Sequence, residues 1–91
     1  MLLKLSDLER IKRGEITVVF RRWNRPTVKD GGTLKTRLGQ LRIGHVVDMH
    51  PDDVNDTDAR AAGFADLAEF RRWLATMKPG ERFQRIEVSF D

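Results

Sequence analysis

At Gly14 the hydrophobic period of the chain changes, and that change limits the fold more than any other feature. Before it, Leu5, Leu8 and Ile11 recur at helical spacing, with Lys12 beside Ile11. After it, Ile16, Val18 and Phe20 alternate with Thr17, Val19 and Arg21, which is the two-residue period of a strand. Ser6-Asp7-Leu8-Glu9 has the form of a capping box, with Ser6 capping and Glu9 reaching back to its amide. Gly14 then ends the helix in a left-handed cap. The stretch Gly14 to Trp23, G-E-I-T-V-V-F-R-R-W, therefore leaves a helix, runs as an apolar strand and delivers Arg21, Arg22 and Trp23 at its end. Its Ile16, Val18 and Phe20 face is the expected core face.

Asn24-Arg25-Pro26 and Lys29-Asp30-Gly31-Gly32 read as a long polar loop closed by a turn. From Thr33 to Leu38, Leu34, Thr36 and Leu38 point inward and Lys35 and Arg37 outward. Gly39-Gln40 gives a tight hairpin into a strand over 41–50. On that strand Leu41, Ile43, His45, Val47 and Met49 share a face, which puts His45 inward as a hydrogen-bonded core residue. Pro51-Asp52-Asp53 breaks the strand. Thr57 caps a short helix through Ala59, Ala61 and Ala62, stopped by Gly63 with Phe64 inserted beyond it. Asp66-Leu67-Ala68-Glu69 opens a second helix to about Ala75, burying Leu67, Phe70 and Leu74, with Trp73 beside them. Lys78-Pro79-Gly80-Glu81 is a turn, and Arg82 to Phe90 is a last strand carrying Ile86, Val88 and Phe90 in alternation. The expected architecture is α+β: a small barrel or curled mixed sheet, with a short N-terminal helix and two short helices before the last strand. Closure of such a barrel would remove the edge strands.

Ninety-one residues make one domain, residues 1–91, with no room for a second core. The absence of cysteine removes disulfides, thiolate zinc sites and cysteine nucleophiles, and fits a reducing compartment. Lys4 follows Met1-Leu2-Leu3 at once, so neither a signal-peptide core nor a membrane span is expected, and the chain reads as cytoplasmic. The net charge is +3, but up to His45 there are eleven basic residues against four acidic ones. Charge segregated in this way on a small domain suggests a polyanion footprint.

The candidate ligand-binding residues are Arg21, Arg22, Trp23, Arg25, Lys29, Lys35 and Arg37. Cations beside an indole suit a nucleic acid or nucleotide, with charge for phosphate and a ring for stacking. Alternation sends Arg21 and Arg22 to opposite faces, so Arg21 is the one expected in a cleft. Trp23 has two readings, stacking a base or packing on the core rim. Lys29, Lys35 and Arg37 either extend a phosphate track or form a solvated outer face. Trp73, with Arg71 and Arg72, would close the cleft from the helix side or join the core. The acidic run Asp48, Asp52, Asp53, Asp56 and Asp58, near His50, lacks the spacing and glycine of an EF-hand, and turns and caps explain it without a metal. No cofactor and no catalytic residue is expected.

Several stretches coincide with one family. The helix ending at Gly14, G-E-I-T-V-V-F-R-R, G-T-L-K-T-R-L-G, L-R-I-G-H-V-V-D-M, D-A-R-A-A-G-F-A-D-L-A-E-F and R-F-Q-R-I-E-V-S-F occur in an order that resembles the ASCH domain, within the PUA-like superfamily. The resemblance runs from Leu5 to Phe90 and implies a PUA-like barrel with a basic cleft beside the first strand, holding RNA or a nucleotide-like ligand. The family's strand signature, G-x-K-x-x-E-x-R, matches at Gly14 and Arg21, whereas Ile16 and Val19 stand at the lysine and glutamate positions. Some small relatives resemble amidohydrolases acting on an acylated cytidine through a lysine and a threonine on this strand. In the simplest register those positions are Ile16 and Val19, and neither side chain moves a proton or attacks a carbonyl. Thr17 would supply the hydroxyl only if a bulge shifted the strand, and Lys12 lies on the preceding helix. The resemblance thus implies an RNA- or nucleotide-binding module. The alternatives are a small hydrolase (amidohydrolase or ribonuclease) and a basic domain that meets an acidic protein partner.

Overall fold

The computed structural model describes residues 1–90. The helix before Gly14 is α1 (Leu5–Lys12), and the strand after it is β1 (Val18–Trp23). There follow β2 (Thr33–Thr36), β3 (Gly39–Asp48), a 3-10 turn (Pro51–Asp53), α2 (Asp56–Ala61), α3 (Leu67–Leu74) and β4 (Arg82–Phe90). The strands form one sheet in the order β1-β4-β3-β2, curled into a half-barrel. The expected mixed sheet is corrected here, because every pairing is antiparallel: a hairpin joins β2 to β3, and α2 and α3 return the chain beside β3 as β4. The half-barrel leaves β1 and β2 as edges.

Both faces of the sheet are covered. On one lie Val19, Leu41, Ile43, Ile86 and Val88, packed with Ile11 of α1, Ile16 and Val28. On the other lie Val18, Phe20 and Phe83, packed with Val54, Ala59 of α2 and Phe70 of α3. Phe20 and Phe83 stack with ring centroids 5.5 Å apart, and Phe70 meets Phe20 at 5.2 Å. Double coverage corrects the single core face expected for β1. The run Val18-Val19-Phe20 is buried throughout, as in a strand with a layer on each side. Ile16, just before the strand, joins Val19 rather than Val18 and Phe20.

Four local expectations shift for identifiable reasons. Ser6 does not cap α1; the helix starts two residues earlier, with Lys4 as its N-cap and no side-chain cap. The β2–β3 hairpin turns on Arg37 and Leu38, since Thr36 pairs with Gly39, so Gly39 opens β3 at φ 122°. The register of β3 against β4 slips between Ile43 and Val46, a bulge that carries Gly44 and His45 out of the ladder. His45 is therefore exposed, 3.3 Å from Asp30, and not in the core. Beyond the bulge it is Val46 and Asp48 that face the same way as Ile43. At α2 the cap is Asn55, whose Oδ1 accepts from the Asp58 amide at 2.8 Å, two residues before Thr57. Asp66 caps α3 as the sequence indicates, accepting from the Glu69 amide at 2.8 Å.

Candidate functional site

β1 is an edge strand, and along it a cleft of about 330 Å³ opens between the N-terminal arm and α3. Apolar residues dominate its walls: Ile16, Val19 and Phe20 from the strand region, Phe64 and Ala62 from the segment after α2, and Trp73 and Met77 from α3 and its exit. The polar lining side chains are Lys4, Asp7 and Arg21.

The wall after α2 is held to α1 and to the residue before β1. Thr17 donates its amide to the Ala61 carbonyl at 2.9 Å, and Arg10 Nη2 donates to the Gly63 carbonyl at 3.1 Å. Gly63 has φ 94°, and a Cβ there would come within 2.9 Å of the Ile16 side chain. Glycine is thus required both by conformation and by the approach of this turn to Ile16. Phe64 follows it, and its ring lies 5.2 Å from that of Trp73.

Arg21 defines the electrostatics. Its side chain shares the Val19 face of β1, and its guanidinium donates to the Phe20 carbonyl at 2.7 Å and the Leu2 carbonyl at 3.2 Å. Among the described residues no carboxylate lies within ion-pair distance of it, although Asp7 in the same cleft favours its charge. Burial pushes the Arg21 guanidinium below the ordinary arginine value, Asp7 opposing this only in part. The group stays cationic at neutral pH and is poorly solvated. An anion entering the cleft would supply what two carbonyls do not.

The other expected site residues divide. Lys35 and Arg37 line a second cleft of about 540 Å³, on the other side of the N-terminal arm, together with Leu5, Leu8 and Leu34. Lys4 lines both clefts, as do Leu2 and Leu3. Arg22 opens onto a different surface, beside Met49, His50 and Phe83. Arg25 and Lys29 are exposed on the β1–β2 loop and line neither cleft beside the arm.

Trp23 takes the rim-packing reading. It packs against the Val19-face core, and its Nε1 donates to Gln84 Oε1 at 2.7 Å. Gln84, 3% exposed, passes the chain on through Nε2 to Asp48 Oδ1 at 3.1 Å, and Arg82 grips both oxygens of Asp48 at 2.8–3.2 Å. The indole in the cleft is Trp73. It stands three residues after Phe70 on α3, so the helical spacing that marks it as core also marks it as a neighbour of the cleft. Lys4 and Asp7 carry no comparable signal in the sequence.

Thr17 lies outside the cleft, and among the described residues no hydroxyl, thiol or imidazole side chain lines it. The acidic run is divided among separate partners: Asp48 takes Arg82 and Gln84, Asp56 takes Arg60 and the Leu67 amide, and Asp58 takes Arg85. Among the described residues no three His, Cys, Asp or Glu side chains gather as a metal site, and no helix is long and apolar enough to cross a membrane. Comparison with protein-family models, with curated proteins and with solved structures found no match.

Proposed function

We propose that this domain binds RNA or a nucleotide-like ligand in the cleft beside β1, with Arg21 as its phosphate contact. The observation that carries this reading is the state of Arg21: cationic, poorly solvated, at a cleft, and, among the described residues, bonded only to two carbonyls. A guanidinium so placed gains from a phosphate, which it holds through two parallel hydrogen bonds. Trp73 and Phe64 offer rings in the same cleft for a base to stack on, and Lys4 adds a second charge. The resemblance to the ASCH domain agrees, because the matched arginine of its strand signature is Arg21. The two positions that depart from that signature, Ile16 and Val19, are apolar wall here, which suits a binding module of PUA-like type better than a hydrolase. We place the module in the cytoplasm, a compartment that suits a chain without cysteine.

The test is a titration of labelled oligouridylate at two salt concentrations. Affinity should fall as salt rises, with a logarithmic slope of about −0.7 per phosphate engaged. Arg21→Ala should weaken binding about tenfold at fixed salt, the equivalent of about 1.4 kcal/mol. RNA that is not retained even at low ionic strength would overturn the assignment.

A further inference from the structure

The two clefts beside the N-terminal arm share a wall. Leu2, Leu3 and Lys4 line both, with Arg21 on one side of the arm and Lys35 and Arg37 on the other. Leu2 is 94% exposed on the ridge between them, and Lys4 is exposed beside it. Among the described residues the only acid lining either cleft is Asp7, in the first. Cations therefore continue from the Arg21 cleft across Lys4 into the second cleft, and among the described residues no carboxylate in the second lining interrupts them.

We propose that the ligand is an oligonucleotide, not a mononucleotide: it crosses the arm, placing one phosphate at Arg21 and a later one at Lys35 and Arg37. This rests on the reading of the Arg21 cleft given above, and extends it to ligand length. Lys4 sits where the strand would cross, and the exposed Leu2 side chain presents apolar surface to a sugar or base at that point. A mononucleotide fills one cleft and leaves the second set of charges unused. A single strand bends over such a ridge because its backbone rotates freely between stacked bases, whereas a stiff duplex does not follow it. The apolar floor of the second cleft, from Leu5, Leu8 and Leu34, offers a place for a further base.

A length series tests it: uridine monophosphate, a dinucleotide and a tetranucleotide, each titrated against the full chain by fluorescence anisotropy or calorimetry. The tetranucleotide should bind at least about tenfold more tightly than the monophosphate. In the Lys35→Ala/Arg37→Ala double variant that gain should collapse, and the salt slope for the tetranucleotide should shallow by about 0.7, from one lost phosphate contact. Arg71 and Arg72, in one reading expected to close the cleft, are exposed on α3 and line neither cleft, so Arg71→Ala/Arg72→Ala removes the same charge and should keep the gain. Thermal melts of each variant establish that it is folded. Equal affinity across the series, a gain that survives in Lys35→Ala/Arg37→Ala, or polyglutamate binding as tightly as the tetranucleotide would overturn the proposal. Those results leave the Arg21 cleft standing if Arg21→Ala still weakens the monophosphate; if Arg21→Ala binds every length like the unaltered chain, the cleft reading itself falls.

Discussion

Arg21 and Arg82 stand on neighbouring strands and on the same face of the sheet, yet their surroundings are opposite. Arg82 pairs across the ladder with Trp23 and grips Asp48, which raises its pKa and lowers that of the carboxylate. Asp48 in turn accepts from Gln84, and Gln84 from the Trp23 indole, so these side chains satisfy one another. Two residues back along β1, Arg21 has lost solvent and gained only two carbonyls. The end of the strand pair at Trp23 and Arg82 is closed by side chains that satisfy each other; one step in on the same face, at Arg21, stands a charge with no carboxylate beside it among the described residues. Residue type alone does not separate the two. What separates them is whether a carboxylate was placed opposite.

The closed end should cost the most to disturb. Gln84→Leu fits the space but removes both links of the chain and strands the indole N–H, so stability should drop by about 1–3 kcal/mol in a denaturant melt. RNA affinity per folded molecule should not change, and a parallel loss of binding would erase the distinction between the two regions. A sharper contrast follows from treating the two arginines alike. Arg82→Met should lower the melting temperature, since Asp48 loses its cation. Arg21→Met should leave the melting temperature level or raise it, because a poorly solvated charge is replaced by an apolar stem. A larger drop for Arg21→Met than for Arg82→Met would break the comparison. The smallest effect is one of pH. Asp48 has a lowered folded pKa, so its contribution is present above the ordinary carboxylate value and is lost as pH falls through the lowered one. Below about pH 4, the melting temperature of the unaltered chain should fall more steeply than that of Asp48→Asn, and parallel curves would remove the role of the pair.

Much of the fold is written in short-range chemistry. The period change at Gly14, the Asp66 cap and the alternation in β4 are each fixed within a few residues, and each stands where the sequence indicates. What is illegible depends on long-range packing. Whether Val19 is buried depends on α1 covering its face, and the face His45 takes depends on the bulge between Ile43 and Val46. The site follows the same division. Arg21 is legible from its place on β1, but which of its two readings Trp23 takes is not, because Gln84 lies sixty-one residues away and offers its indole a partner. Lys4 becomes part of the site only when the arm lies between two clefts.

The most direct measurement is a crystal structure with a bound tetranucleotide. The expected density has a phosphate within hydrogen-bonding distance of the Arg21 guanidinium, a base against Trp73, and the strand running over Lys4. Density on the β1–β2 loop near Arg25 and Lys29, with the cleft beside β1 empty, would contradict it.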